Sequence, residues 1–216
     1  MTDALNPFQR ELLEAFFHRA SAFYLTGGAA LAGFYLEHRR TNDLDLFTTE
    51  DALESGERAL EEAAHELGAT VERLQTTPDF RRRLVRRSDA ALVVDLVRER
   101  VLAGQRPKVQ RGIITLDSME EILANKLCAL LSRAEVRDLV DVIALERAGL
   151  RIEEVLPDAM RKDGGLTPAQ LAWVLSELRI GDDARVPGGL SVEELRNRLD
   201  SLIDRLTRLA APTPGG

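Results

Sequence analysis

Asp43 and Asp45 stand one leucine apart in DLDLF, and two carboxylates at that spacing can hold a divalent cation if the segment is a strand. Side chains alternate across a strand, so both acids point to one face while Leu44 and Leu46 point to the other. Crowded carboxylates backed by apolar neighbours repel each other and resist desolvation. One of them protonates, or a cation sits between them. Hard ions such as Mg²⁺ or Mn²⁺ take carboxylate oxygens together with substrate phosphate oxygens. The plainer reading is an exposed acidic strand end, because D-x-D also arises by chance.

Three further features point towards a phosphate-handling site. Gly27 and Gly28 follow the apolar run AFYLT, and glycine lets backbone approach a ligand closely. A helix opening there would turn unpaired N–H groups towards phosphate, although a glycine pair also makes an ordinary turn. Asp95 stands alone within ALVVDLV, which is apolar on both faces and reads as a central strand. An isolated charge there is costly, so Asp95 has either an arginine partner on a neighbouring strand or a place as a third metal-site carboxylate. With Asp43 and Asp45 present, the second reading is favoured. Lys126 lies near the middle of a stripe formed by Met119, Ile122, Leu123, Leu127 and Leu130. It must snorkel out or meet an anion, either a phosphate oxygen or a nearby acid. Asp138 and Asp141, three residues apart in RDLVDVIAL, share one helix face.

The elements that must carry these residues follow from periodicity. Residues 7–19 space their apolar side chains as an amphipathic helix. AFYLT is a short strand, 29–38 a helix, and DLDLFT a second strand. Thr48 or Thr49 is placed to cap the acidic helix that ends at Gly68. TVERLQT is a strand, FRRRLVRR and AALVVDLV form a hairpin across Ser88-Asp89, and VQRGIITL is one more strand. From Asp117 onward everything is helical: one helix to about Ser132, another from Glu135 to Arg147, and three more ending near 209. The expected architecture is an α/β (α+β) mixed sheet with flanking helices over 1–116, a helical bundle over 117–209 and a disordered tail, 210–216.

Composition excludes several classes. Apolar content of 44% and charged content of 30% are those of an ordinary globular chain. No apolar run approaches the roughly 18 residues that cross a bilayer, and the N-terminus lacks a secretory core. One cysteine, Cys128, allows no internal disulfide and suits a reducing cytoplasm. With three histidines besides, any metal would be held by oxygen. The net charge of −7 hides an asymmetry: residues 73–111 carry eleven Arg or Lys against four acids, net +7, leaving −14 elsewhere. Such a patch suits a polyanion, here RNA against Arg81, Arg82, Arg83, Arg86 and Arg87, or else is a set of solvated arginines on a hairpin.

Two stretches, YLTGGAALAGFYLEHRRTNDLDLF and SMEEILANKLCALLSRAEVRDLVDVIAL, resemble the AbiEii/AbiGii-type nucleotidyltransferases of the DNA polymerase beta-like superfamily. The resemblance spans roughly residues 20–148 and rests on the glycine pair, the H-R-x-T-x-D-x-D-x-F run and K-x6-R-x3-R-D-x2-D in combination. Ala29 and Thr41 stand where the family more often has Thr and Ser, a mild departure that leaves the carboxylates intact. The resemblance implies a polymerase-beta-like sheet and an enzyme that moves NMP from NTP to a hydroxyl. It implies that Asp43 and Asp45 bind the metal carrying the triphosphate, with Gly27, Gly28 and Thr41 at the nucleotide. Asp95 completes the metal site or helps deprotonate the acceptor, while Lys126, Asp138 and Asp141 border the nucleotide site, Lys126 behind the leaving pyrophosphate. Members of this family are often toxins paired with an antitoxin, and some act on tRNA ends. Transfer to a small molecule, as in antibiotic-modifying relatives, and a nucleotide-binding regulatory module without turnover are the alternatives. No P-loop or nucleophile elbow is present.

Overall fold

The computed structural model describes residues 4–101 and 105–211. They form two compact units, one comprising the described residues to 101 with Arg106–Ile122, the other Gln105 with the chain from Leu123 onward. Of the expected tail, 210–216, Ala210 instead closes the last helix, and residues 212–216 lie outside the described residues.

The first unit is built on a seven-stranded mixed sheet. Its strands are β1 (Tyr24–Thr26), β2 (Asp43–Thr48), β3 (Thr70–Thr77), β4 (Phe80–Arg87), β5 (Ala90–Arg98), β6 (Val109–Arg111) and β7 (Ile114–Leu116), in the spatial order β3-β4-β5-β2-β1-β7-β6. β3, β4 and β5 form an antiparallel meander, β2 runs parallel to β5 and antiparallel to β1, and β1 runs parallel to β7. The helix α1 (Pro7–Phe17) packs on α3 (Leu53–Glu66), and α3 packs on β3, β4 and β5. Between these two, α2 (Gly27–Leu31) runs on into a π-helical turn, Ala32–Leu36.

Strand alternation sorts the sheet into two unlike faces. Leu44, Leu46, Val94 and Leu96 are fully or almost fully buried, and the Phe16, Phe17 and Phe23 rings meet edge to face at centroid distances of 5.4–5.5 Å. Asp43, Asp45 and Phe47 alternate with that set and stay half-buried on the opposite face. Burial of the Leu44 face is the main cohesive contribution, since each such side chain removed from water is worth roughly 1.5–3 kcal/mol.

Three expected elements differ from those observed. VQRGIITL is a tight hairpin, β6 and β7, because Gly112 adopts φ 62° and reverses the chain. The acidic helix begins at Leu53 without a side-chain cap, because Thr48 completes β2 and its Oγ1 accepts from the Glu50 N–H at 3.1 Å. The helix after the glycine pair starts at Gly27 itself and ends in the left-handed residue Glu37, φ 48°.

The second unit is helical: α4 (Met119–Arg133, most of it here), α5 (Val136–Arg147), α6 (Ile152–Lys162), α7 (Pro168–Ser176) and α8 (Val192–Ala210). Leu123, Leu127, Leu130, Leu139, Val142, Leu171, Leu195 and Leu206 close its core. Among the described residues no helix is long and apolar enough to cross a membrane.

Candidate active site

Asp43 and Asp45 open the site from β2. Thr41, buried in the turn before the strand, donates its hydroxyl to Asp43 Oδ1 at 2.7 Å. That turn is tied down from α1. Asn6 and Gln9 form a reciprocal capping box with bonds of 2.8 and 2.9 Å, and the buried Gln9 amide donates to the Thr41 carbonyl at 3.0 Å. An unremarkable N-terminal helix thus fixes the approach to the first aspartate, a link with no sequence signal beyond the N-x-x-Q spacing of the cap.

β1 places its terminus beside the second aspartate, with Thr26 opposite Asp45 in the antiparallel register. Gly27 follows at φ 65°, and a Cβ built there would collide with Asp45 Oδ2. A Cβ on Gly28 would instead meet the Arg39 guanidinium. The pair therefore does two jobs: the first glycine makes room for a carboxylate, the second for a cation. Arg39 lies within the H-R-x-T-x-D-x-D run, yet sequence spacing alone does not show that it folds back onto Gly28. Gly27→Ala should push Asp45 off its position and strain the backbone by roughly 1–2 kcal/mol. We expect at least a tenfold loss of activity with a measurably lower urea midpoint, whereas Gly28→Ala displaces only a flexible guanidinium and should leave the midpoint near wild type. Full activity in Gly27→Ala would contradict this account.

Asp95 enters from β5 in the same register row, directly beside Asp45, and its other neighbour in that row is Arg82 of β4. Arg82 grips it with both ends of the guanidinium fork, Nε to Oδ1 at 2.9 Å and Nη2 to Oδ2 at 2.7 Å. The hydrogen bond to Asp95 keeps the Arg82 pKa above its usual value, with Asp95, Asp45 and Asp43 adding charge attraction. The three acids share a face, but among the described residues no group of three His, Cys, Asp or Glu side chains gathers so that it could hold a metal ion. What the strand offers a cation is the Asp43–Asp45 pair beside bare glycine backbone. Two hard carboxylates in that setting fit an ion such as Mg²⁺, which takes its remaining oxygens from phosphate and water.

The basic strand β4 is divided by the same alternation. Arg81, Arg83 and Arg87 face the helices. Arg83 is 1% exposed, and its guanidinium donates to Glu57 Oε1, the Gln75 and Arg82 carbonyls and Thr76 Oγ1. Arg81 shares Glu57 at 3.5 Å, and Arg87 pairs with Glu11 at 2.5 Å while lying 4.3 Å over the Phe8 ring. Arg83 is therefore closed to a polyanion, while Arg81 and Arg87 are already paired with acids of the helices. Arg82 and Arg86 remain on the open face, Arg86 near Glu72 at 3.6 Å with a side chain more than half exposed.

Lys126, Asp138 and Asp141 meet inside the helical unit. Lys126 Nζ lies 2.8 Å from Asp138 Oδ1 and 2.7 Å from Asp141 Oδ2, and Arg133 adds two bonds to Asp138 at 2.8 and 3.0 Å. Burial by itself would lower the Lys126 pKa, but Asp141 and Asp138 outweigh it and the net shift is upward.

A comparison with curated proteins finds no match. Among solved structures the fold is similar to MenT4, a nucleotidyltransferase toxin of Mycobacterium tuberculosis, with TM-score 0.69 and 17% identity, covering 94% of this chain and 83% of that one. It is also similar to JHP933 of Helicobacter pylori, with TM-score 0.58 and 21% identity, covering 92% of this chain and 90% of that one. The fold is the polymerase-beta-like one. The family model described as nucleotidyl transferase AbiEii toxin, type IV toxin–antitoxin system, matches residues 11–212, and the chain belongs to this family of nucleotidyltransferases.

Proposed function

We propose that this nucleotidyltransferase moves NMP from an NTP to a hydroxyl at a tRNA end, with Mg²⁺ held by Asp43 and Asp45, as the toxin of a cytoplasmic toxin–antitoxin pair. The observation that carries the reading is the placement of those two carboxylates on one face of β2, hard against the Gly27 bend. The family match supports the reaction class. Bound Mg²⁺ would supply charge neutralisation on the phosphate oxygens and orientation of the triphosphate.

The residues of the chain divide the remaining work. Gly27 and Gly28 let the triphosphate approach the backbone, and Arg39, resting on Gly28, offers it a guanidinium. Thr41 holds Asp43 in its rotamer. Asp95, fixed by Arg82 in the row beyond Asp45, accepts the proton of the attacking hydroxyl. The hydroxyl oxygen bonds to the α-phosphorus while the bond from that phosphorus to the bridging oxygen of pyrophosphate breaks, and pyrophosphate leaves with the electron pair. Alignment and charge neutralisation suffice for this chemistry, without a covalent protein intermediate. Lys126 with Asp138 and Asp141 braces the helical unit.

Incubating the protein with each labelled NTP, Mg²⁺ and total tRNA should transfer label to tRNA. Label moving only to small hydroxyl compounds would overturn the tRNA assignment, and NTP binding without transfer to any acceptor would leave a regulatory module in its place.

A further inference from the structure

We propose that the half-buried row Phe47–Val97–Phe80, one step along the strands beyond the acids, seats the terminal nucleotide of the acceptor RNA, with its base ring lying on Phe80. The inference rests on the transfer reading above and adds to it where the acceptor lies and what recognises it.

The row is fixed by register. Phe47 pairs with Val97 and Val97 with Phe80, directly after Asp45 with Asp95 and Asp95 with Arg82. Residues two apart on a strand point the same way, so all six side chains share the face opposite α3. Two residues of strand span roughly 6.5 Å, comparable to the reach from a nucleobase to its own ribose hydroxyls. Asp95 lies one strand across from that line, so a base over Phe80 brings a hydroxyl towards Asp95 first.

In-line displacement assigns the side. Gly27, Gly28 and Arg39 lie on the β1 side of Asp45, and a triphosphate cradled there sends pyrophosphate out in that direction. The attacking oxygen must then arrive from the opposite side, over β5 and β4, where Asp95, Val97 and Phe80 are. Arg82 couples the two rows. It holds Asp95 while its guanidinium carbon lies 5.4 Å from the Phe80 ring centroid, and its side chain is 45% exposed. A ring with a guanidinium over one face, beside a polyanion-handling site, matches how single strands are bound: a base stacks on the other face of the ring, and Arg meets the backbone. Because every base has a π-face, such a seat accepts an RNA end with little sequence preference.

Phe80 opens β4 at the Pro78-Asp79 turn and is half-buried, so its truncation leaves the core under α3 untouched. The test compares wild type, Phe80→Ala and Phe80→Tyr, each checked for native circular dichroism. For each, the KM for total tRNA, the KM for NTP and the anisotropy of fluorescent tRNA without NTP are measured. Phe80→Ala should raise the tRNA KM and weaken tRNA binding by about tenfold or more, the loss expected when one stacked base is removed. The NTP KM should stay within about twofold, and Phe80→Tyr should restore the wild-type values. Unchanged tRNA KM and affinity in Phe80→Ala, or a rise in the NTP KM instead, overturns the seat. Wild type that binds tRNA in a Phe80-dependent way without transferring label retires the transfer reading and retains the ring as an RNA contact. Wild type that neither binds nor labels tRNA overturns both.

Discussion

Asp43→Ala/Asp45→Ala should lose nucleotidyl transfer by about a thousandfold or more while remaining folded. Metal-bound charge stabilisation is worth several kcal/mol, and each 1.36 kcal/mol is a factor of ten in rate. The prediction separates chemistry from cohesion because β2 keeps the two on opposite faces. Leu44 and Leu46 hold the strand in the core, whereas Asp43 and Asp45 contribute half-buried like charges to the other side. Removing them relieves repulsion but deprives the buried Thr41 hydroxyl of its acceptor, so stability should fall by no more than about 1.5 kcal/mol. Transfer rates with saturating Mg²⁺ and NTP, set beside urea unfolding curves, check both halves. A rate within tenfold of wild type would remove these residues from the reaction. Asp95→Ala is a different experiment, since it also strands the Arg82 guanidinium and is expected to cost stability as well as rate.

The second large effect falls on stability. Lys126→Met should destabilise the protein by about 3–5 kcal/mol, because it leaves Asp138 and Asp141, both fully buried, without their shared ammonium. That is a sizeable part of the total stability of an ordinary domain, roughly 5–15 kcal/mol. Urea denaturation followed by circular dichroism reads it, and a change below about 1 kcal/mol, the scale of an exposed pair, would refute the brace.

The same cluster sets a pH dependence. Burial alone would raise the Asp138 pKa, but the Arg133 hydrogen bonds and the Lys126 charge outweigh it and hold it below the ordinary carboxylate value. A depressed carboxylate contributes stability that is present above its unfolded pKa, about 3.9, and is lost as pH falls through the folded value. Acid unfolding should therefore steepen below about pH 4, and Asp138→Asn should flatten that limb.

Much of the site was legible in local spacing. The period of two in DLDLFT places both aspartates on one face, the glycine pair marks the bend, and the apolar stripe around Lys126 demands an anion for it. These are properties of neighbours in the chain, and adjacent residues decide them. Arg39 on Gly28 and Gln9 under Thr41 were not legible, because each contact joins segments whose separation in the chain says nothing of their distance in space.

The +7 stretch shows where local reading ends. Its charge is a fact of composition, yet Arg83 and Arg81 meet Glu57, Arg87 meets Glu11 and Arg98 meets Asp51, acids supplied by α3, α1 and the turn after β2. Likewise ALVVDLV announces a buried acid without naming its partner. Arg82 is that partner only because β4 and β5 align in one particular register. Side-chain alternation along a strand is dictated by backbone geometry, and so the acids, the bend and the helical half belong to the sequence alone. Which strand lies alongside, and which helix covers which face, depends on the packing of the whole first unit; that packing decided which cations are neutralised and which face stays open beside Asp43 and Asp45.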